Sequence, residues 1–290
     1  MSRRSTLRKF LRLGHSGEPR QLGYRTSGTG EPLLLLHPIG LDGSWWSTYI
    51  ELFSERFRVI AVDLPGHGAS SPVRGPITLD GMARDVAAVL EAEKAGPAHV
   101  VGVSMGGMVA QHLALRQPRK VASMILCATA GSFADDVRPL LRERGMAARA
   151  GMAAVIEPTL ERWFPPRARA AAVGQDCART LAAADPGSWA ACWAAIAELA
   201  TLDRLGALDI PALVITGSAD ITTAPTAAEA LARALPDARL VIVPGAWHMG
   251  VFEDPKRFVA AFADFLERNS GDYGAVVPAR EPPFVVLSDK

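Results

Sequence analysis

Three cysteines in 290 residues are too few, and odd in number, for a disulfide scaffold. Cys127, Cys177 and Cys192 are widely spaced in apolar surroundings. They read as free buried thiols of a reducing compartment, not as a metal site or a nucleophile. Long hydrophobic runs are also lacking: none approaches the ~20 residues of a membrane span. Residues 1–12 are basic (Arg3, Arg4, Arg8, Lys9, Arg12) but have no extended apolar stretch. They read as a frayed, solvated arm rather than a signal peptide. Nor is there an excess of charge of one sign. Lys and Arg total 31 against 30 Asp and Glu, for a net charge of +1. This leaves no electrostatic footprint for a nucleic-acid or anionic-membrane partner. The expected location is cytoplasmic, and no metal or organic cofactor is implied.

What is present is an alternation. Strand-like runs cover Leu33–Leu36, Val59–Val62, His99–Val103, Val121–Leu126, Leu213–Ile215 and Leu240–Val243. Leu33–Leu36 is continuously apolar, as in strands buried on both faces. Helical patterns separate most of these runs, among them Leu79–Glu93, Thr226–Leu235 and Pro255–Arg268. The alternation predicts a doubly wound, mostly parallel α/β sheet. It breaks between residues 132 and 202, where an Ala-, Arg- and Trp-rich stretch shows only helical patterns: Val137–Ala150, Met152–Phe164, Arg167–Ala184 and Ser188–Ala200. Because this stretch lies between two strands, it is expected to roof the sheet's C-terminal edge as a helical lid. The chain thus divides into a core over 1–131, the lid over 132–202, a second core segment over 203–270 and a tail over 271–290. The tail carries one apolar run, Phe284–Leu287, which could stay disordered, pack on the body or pair with a neighbour's sheet edge. A homo-oligomer therefore stays open.

Gly102-Val103-Ser104-Met105-Gly106 matches G-x-S-x-G. That pattern puts a serine hydroxyl on a strained strand-to-helix turn. The context agrees. An apolar β-branched run precedes it, and a helical stretch from Met108 to Leu115 follows, stopped near Pro118. A serine hydroxyl is a poor nucleophile without an adjacent base. The chain order that accompanies this elbow is Ser, then an acid, then His. Downstream, Leu213–Ile215 leads into a small-residue loop ending at Asp220, and Leu240–Val243 leads into a loop ending at His248. All three residues follow strand C-termini, which share one edge in a parallel sheet. The other histidines fit elsewhere: His15 in the arm, His112 within a helix, His99 at a strand start and His67 in the Gly66–Gly68 turn. Asp135 is the nearest rival acid, but it lies well past its strand.

At this point the chain resembles the α/β-hydrolase superfamily, from about Gly23 to Arg268. The resemblance rests on His37-Pro38-Ile39-Gly40, Asp63-Leu64-Pro65-Gly66-His67-Gly68-Ala69-Ser70, the elbow, Gly217–Asp220 and Gly245-Ala246-Trp247-His248. Within the superfamily it looks most like 3-oxoadipate enol-lactonases and related esterases, through Thr159-Leu160-Glu161-Arg162-Trp163-Phe164 and Ala191-Cys192 with Ala195-Ile196. The resemblance implies an α/β-hydrolase fold with an inserted helical lid. It also implies a serine hydrolase that cleaves a small carboxylic ester or lactone through an acyl-enzyme.

Ser104 is then the nucleophile, His248 the general base and acid, and Asp220 the group that holds the imidazole tautomer. The oxyanion hole is expected from two backbone N–H groups, those of Met105 and Ile39, since Pro38 has no N–H. His37 is expected to fix the oxyanion loop rather than to catalyse. Residues 63–70 lack the lysine of a phosphate-binding loop and read as structural, and Trp46 reads as core. Phe133, Trp163, Trp189 and Trp193 are candidates to line an apolar pocket. With no cation between Ala191 and Leu199, compact neutral acyl groups are expected over dicarboxylate lactones, unless Arg162 or Arg179 points inward. The same three residues also serve perhydrolysis and C–C cleavage, and a non-catalytic binding protein on this scaffold is the rival from another class.

Overall fold

The computed structural model describes residues 6–14 and 20–271 and the backbone of residues 284–286. Among these, nine strands form one sheet: β1 (Leu7–Leu13), β2 (Arg20–Ser27), β3 (Glu31–Leu36), β4 (Phe57–Val62), β5 (Ala98–Val103), β6 (Val121–Cys127), β7 (Ala212–Gly217), β8 (Ala238–Val243) and β9 (Phe284–Val286). Their order is β1-β2-β4-β3-β5-β6-β7-β8-β9. The pairs β1–β2 and β2–β4 are antiparallel and every other pair is parallel. The six anticipated strands all form. Leu33 to Leu36 are fully buried between Val59–Val62 of β4 and His99–Gly102 of β5, as their unbroken apolar run requires.

The helices are α1 (Ser47–Phe53), α2 (Leu79–Ala92), α3 (Met105–Arg116), α4 (Val137–Met146), α5 (Ala153–Trp163), α6 (Pro166–Ala170), α7 (Ala172–Ala182), α8 (Pro186–Ala197), α9 (Pro225–Ala234), α10 (Gly250–Glu253) and α11 (Lys256–Arg268). Helix α2 starts where Thr78 accepts from Gly81 N–H, and α8 where Asp185 accepts from Ser188 N–H. Helix α3 packs on β5 and β6, and α9 on β7 and β8.

At the N-terminal end an expectation changes, and at the C-terminal end one of the open alternatives, packing on the body, is realised. Residues 7–13 are not a frayed arm but a strand paired along its whole length with β2. The alternation carries Lys9 inward, where its ammonium meets the buried Glu93 carboxylate at 2.9 Å. Glu93 also accepts from the Tyr24 hydroxyl at 2.7 Å and pairs with Arg58. A basic residue on an inward face hides the period-2 pattern from hydropathy alone. At the other end, Phe284–Val286 pairs in parallel with this chain's own β8. Arg3, Arg4, His15 and Leu287 lie outside the described residues.

Helices α4–α8 make up the stretch between β6 and β7. Its base is closed by a bridge between Ser132 and Ala200. Beside it, Thr201 donates to Gly131 O at 2.9 Å, its N–H reaches the same carbonyl, and Gln111 donates to Ala130 O. The anticipated helix over 167–184 is two helices broken at Ala171, which is extended. The break brings Gly174 so close to the end of α6 that a Cβ there would lie 2.3 Å from Arg169 O. Only glycine admits that fold-back.

Candidate active site

Ser104 sits between β5 and α3 with φ 52° and ψ −117°, a left-handed backbone that few side-chain-bearing residues adopt. Its surroundings hold it there. Its N–H donates to Cys127 O at 2.9 Å, and its carbonyl accepts from the Thr129 hydroxyl at 2.7 Å. The flanking glycines allow strand and helix to cross. A Cβ on Gly102 would lie 2.4 Å from Gly106 O, and one on Gly106 would lie 2.2 Å from Leu36 O.

Ser104, Asp220 and His248 converge at the C-terminal edge of the parallel strands, as their chain positions imply. The Ser104 hydroxyl lies 3.2 Å from His248 Nε2, and His248 Nδ1 lies 2.8 Å from Asp220 Oδ2. Both Asp220 and His248 are buried. The carboxylate can only accept from Nδ1, so Nδ1 carries the proton and Nε2 offers its lone pair to Ser104. Asp220 accepts three further bonds: the Thr223 hydroxyl on Oδ2 at 2.9 Å, and the N–H groups of Thr222 and Thr223 on Oδ1 at 2.8 and 2.9 Å. Burial pushes its pKa up, but the facing His248 ring and the two backbone donors outweigh that and hold the carboxyl below its usual range. Asp135, the rival acid, is fully exposed and pairs with Arg138. Thr222 and Thr223 were not singled out from the sequence, although hydroxyls two and three residues past an aspartate are the pattern of a local turn cap.

The loop after β3 is tied from below. His37 and His67 lie with ring centroids 5.0 Å apart. His37 Nε2 accepts from Leu64 N–H at 2.8 Å, and His67 Nε2 accepts from Gly40 N–H at 2.9 Å. Each Nδ1 faces a backbone carbonyl, Pro38 O at 2.7 Å and Pro65 O at 3.0 Å. Both rings are therefore neutral with the proton on Nδ1. Burial lowers the pKa of His37 to about 4 and that of His67 to about 3. Residues 63–70 are structural, as expected: Asp63 accepts from Gly43 and Ala69 N–H and from Arg25. Trp46 is core, edge-on to Tyr49 and Phe252. With Gly40 and Leu41 N–H engaged by His67 and Pro38, the loop leaves Ile39 at the cavity wall. Met105 opens α3, so its N–H has no partner within the helix.

A cavity of about 20 Å³ reaches Ser104 and His248, with Ile39, Met108, Phe133, Leu141, Trp163, Trp193 and Ile196 among its walls. It has room for about one water. Helices α4, α5 and α8 supply its roof. The end of α5 is bonded to both loops below: Met249 N–H donates to Trp163 O, and the Thr222 hydroxyl donates to Arg162 O at 3.0 Å.

Three of the four aromatic candidates, Phe133, Trp163 and Trp193, line this cavity. Trp189 does not. Its indole N–H donates to Arg144 O at 3.2 Å and its ring abuts Gly40, so it braces the roof against the loop after β3. Residues 191–199 carry no cation, as expected, but Arg144 of α4 lines the cavity. Arg179 is exposed and paired with Asp176. Cys127, Cys177 and Cys192 are buried and unpaired, and burial raises all three thiols, Cys192 to about 12. Among the described residues no helix is long and apolar enough to cross a membrane, and no cluster of three or more His, Cys, Asp or Glu could hold a metal.

Comparison with known proteins agrees with this architecture. The chain is 34% identical over 250 residues to a pimeloyl-[acyl-carrier protein] methyl ester esterase of Chromobacterium violaceum, covering 83% of this chain and 96% of that one. It is 29% identical over 256 residues to 3-oxoadipate enol-lactonase 2 of Acinetobacter baylyi, covering 85% and 93%. Among solved structures, a hydrolase from Pseudomonas aeruginosa PA01 superposes with a TM-score of 0.83 at 32% identity, covering 89% of this chain and 98% of that one. Residues 31–255 match the family described as alpha/beta hydrolase fold, a span that opens on β3 and runs past His248, and this chain belongs to that family.

Proposed function

We propose that the protein is a serine hydrolase that cleaves a small carboxylic ester or lactone through an acyl-enzyme. The observation that carries this reading is the hydrogen-bonded line from Ser104 Oγ through His248 to Asp220. The names of the two relatives, a methyl ester esterase and an enol-lactonase, support it.

In this reading Ser104 Oγ attacks the carbonyl carbon while its proton passes to His248 Nε2. The carbonyl π pair moves to oxygen, where the Ile39 and Met105 N–H groups hold the oxyanion. Asp220 stabilises the imidazolium without itself taking the proton. Collapse expels the alkoxide, which leaves with the proton from Nε2. Water then attacks the acyl-enzyme, gives a proton to Nε2, and the carboxylic acid departs as Ser104 recovers its hydrogen. Thr223 acts as a positioning residue by donating to Asp220 Oδ2. The aromatic and aliphatic side chains around the Ser104 hydroxyl suit an apolar acyl group.

The test is labelling by a fluorophosphonate together with turnover of p-nitrophenyl acetate. Both are expected in the wild type and both lost in Ser104→Ala. A folded Ser104→Ala protein that still turns over the ester would overturn the assignment.

A further inference from the structure

The strained turn at Ser104 is held by the chain that leaves β6, and that hold reaches further than the serine. Ser104 N–H donates to Cys127 O at 2.9 Å, and Ser104 O accepts from the Thr129 hydroxyl at 2.7 Å. Between these two partners lies Ala128, at φ 46°, a left-handed backbone that alanine rarely adopts. Its N–H donates to Ile215 O at 2.9 Å, which fixes the kink to β7. Strain of this kind persists where the surroundings over-determine it, and it collects at working sites. Past the kink, Thr129 packs on the first turn of α3. A Cβ on Gly107 would lie 2.7 Å from Thr129 Cγ2 and 2.9 Å from its Oγ1. Thr129 is buried, and it is not among the walls of the cavity at Ser104. Its hydroxyl therefore bears on the reaction through Ser104 O and not through contact with a substrate.

Ser104 O belongs to the same amide as Met105 N–H. A trans amide is planar, with C=O and N–H pointing in opposite directions, so whatever aims the carbonyl also aims the N–H. Ser104 O accepts from Met108 N–H as well, at 3.1 Å, in the first bond of α3. One such bond leaves the amide plane free to rock about it, and a second donor, from the β6 side, removes that freedom. A donor on the carbonyl also polarises the amide and strengthens its N–H. We infer that Thr129 is a positioning residue for the oxyanion hole: by pinning Ser104 O, its hydroxyl aims and polarises the Met105 N–H that receives the oxyanion. The inference rests on the serine-hydrolase reading of Ser104 and adds to it a residue outside the triad. Oxyanion donors are matched to the oxyanion rather than to the ground-state carbonyl. Formation and hydrolysis of the acyl-enzyme both pass through an oxyanion, so the Thr129 hydroxyl should raise kcat and leave KM alone.

The experiment compares Thr129→Val, which keeps the shape but has no hydroxyl, with Thr129→Ser, which keeps the hydroxyl. On p-nitrophenyl acetate, Thr129→Val should lose about 3- to 10-fold in kcat with KM unchanged. That is the range of one hydrogen bond, below the ~10²–10³ of an oxyanion donor removed outright. Thr129→Ser should recover most of the wild-type rate. A small trifluoromethyl ketone, which adds Ser104 Oγ and presents an oxyanion, reads the hole directly. Its Ki should rise in Thr129→Val by the factor that kcat falls, while the Ki of the matching secondary alcohol, which forms no adduct, stays at the wild-type value. The acid limb of the pH profile of kcat/KM should stay in place, whereas a general loosening of the elbow would move Ser104 against His248 and shift it. Thermal melting establishes that each variant is folded, and if Thr129→Val does not fold, Thr129→Ser against Thr129→Ala carries the same comparison. An unchanged kcat without the hydroxyl, a fall in kcat with no matching rise in the ketone's Ki, or a shifted acid limb overturns the inference. Fluorophosphonate labelling and ester turnover of the wild type separate the two claims. With both present, only the role of Thr129 fails; with both absent, the serine-hydrolase reading fails and the role of Thr129 falls with it.

Discussion

Acid should loosen this protein through two histidines that take no part in the proposed chemistry. His37 and His67 are buried and neutral, and each Nε2 must stay unprotonated to accept a backbone N–H. Their folded pKa values are about 4 and about 3, whereas an unfolded histidine titrates near ~6.5. The folded values are depressed, so below pH ~6.5 the unfolded chain binds protons that the folded chain refuses, and stability falls as pH falls. At pH 5 each ring contributes a loss of about 2 kcal/mol, from about 1.4 kcal/mol per unit over about 1.5 units. The two together lose about 4 kcal/mol, a large part of a typical stability of ~5–15 kcal/mol. Urea unfolding followed by tryptophan fluorescence at pH 7.5, 6 and 5 reads the effect directly. His67→Gln keeps an acceptor for Gly40 N–H but cannot titrate, so its loss between pH 7.5 and 5 should be smaller than the wild type's by about 2 kcal/mol. Equal pH dependence in the two proteins would refute the claim that buried neutral imidazoles hold this loop.

The other predictions concern the site itself. Ser104→Ala and His248→Ala should each lower kcat on p-nitrophenyl acetate by up to about 10⁶, and the double variant should be no worse, because the two act as one unit; additive losses would contradict this. Asp220→Asn should cost about 10⁴ in kcat through the wrong imidazole tautomer, while Thr223→Val, which removes one donor to Asp220 Oδ2, should lose only about 2- to 10-fold. Wild-type rates in Asp220→Asn would place the acid elsewhere. Gly106→Ala should destabilise the fold by about 1–3 kcal/mol or more in urea, since its Cβ would meet Leu36 O at 2.2 Å; an unchanged midpoint would mean that the elbow tolerates a side chain. Dialysis against EDTA should leave ester turnover intact, and a loss restored by one divalent ion would refute the metal-free mechanism.

Local chemistry made much of this protein legible in its amino-acid order. Unbroken apolar runs such as Leu33–Leu36 identify strands buried on both faces, because only a sheet covered on both sides removes every residue from water. The glycines around Ser104 mark a crossing too tight for a Cβ. The chain order Ser104, Asp220, His248, each just past a strand, brings the three to one edge once the strands are parallel. The ends of the helical insertion could be read from where alternation stops and resumes. Other features depend on partners far away in the chain. Strand β1 reads as a basic arm until Glu93, 84 residues on, accepts Lys9. Trp189 and Trp193 share a helix and a residue type, yet Trp193 lines the cavity while Trp189 abuts Gly40, because the seating of α8 over the loop after β3 decides which ring faces in. Arg144 looks like any surface cation of an amphipathic helix. Only the packing of α4 against α8 half-buries it on the wall of the cavity that Ser104 also lines, where among the described residues it has no counter-charge, and burial and pairing of that kind are properties of the assembled fold rather than of any stretch of sequence.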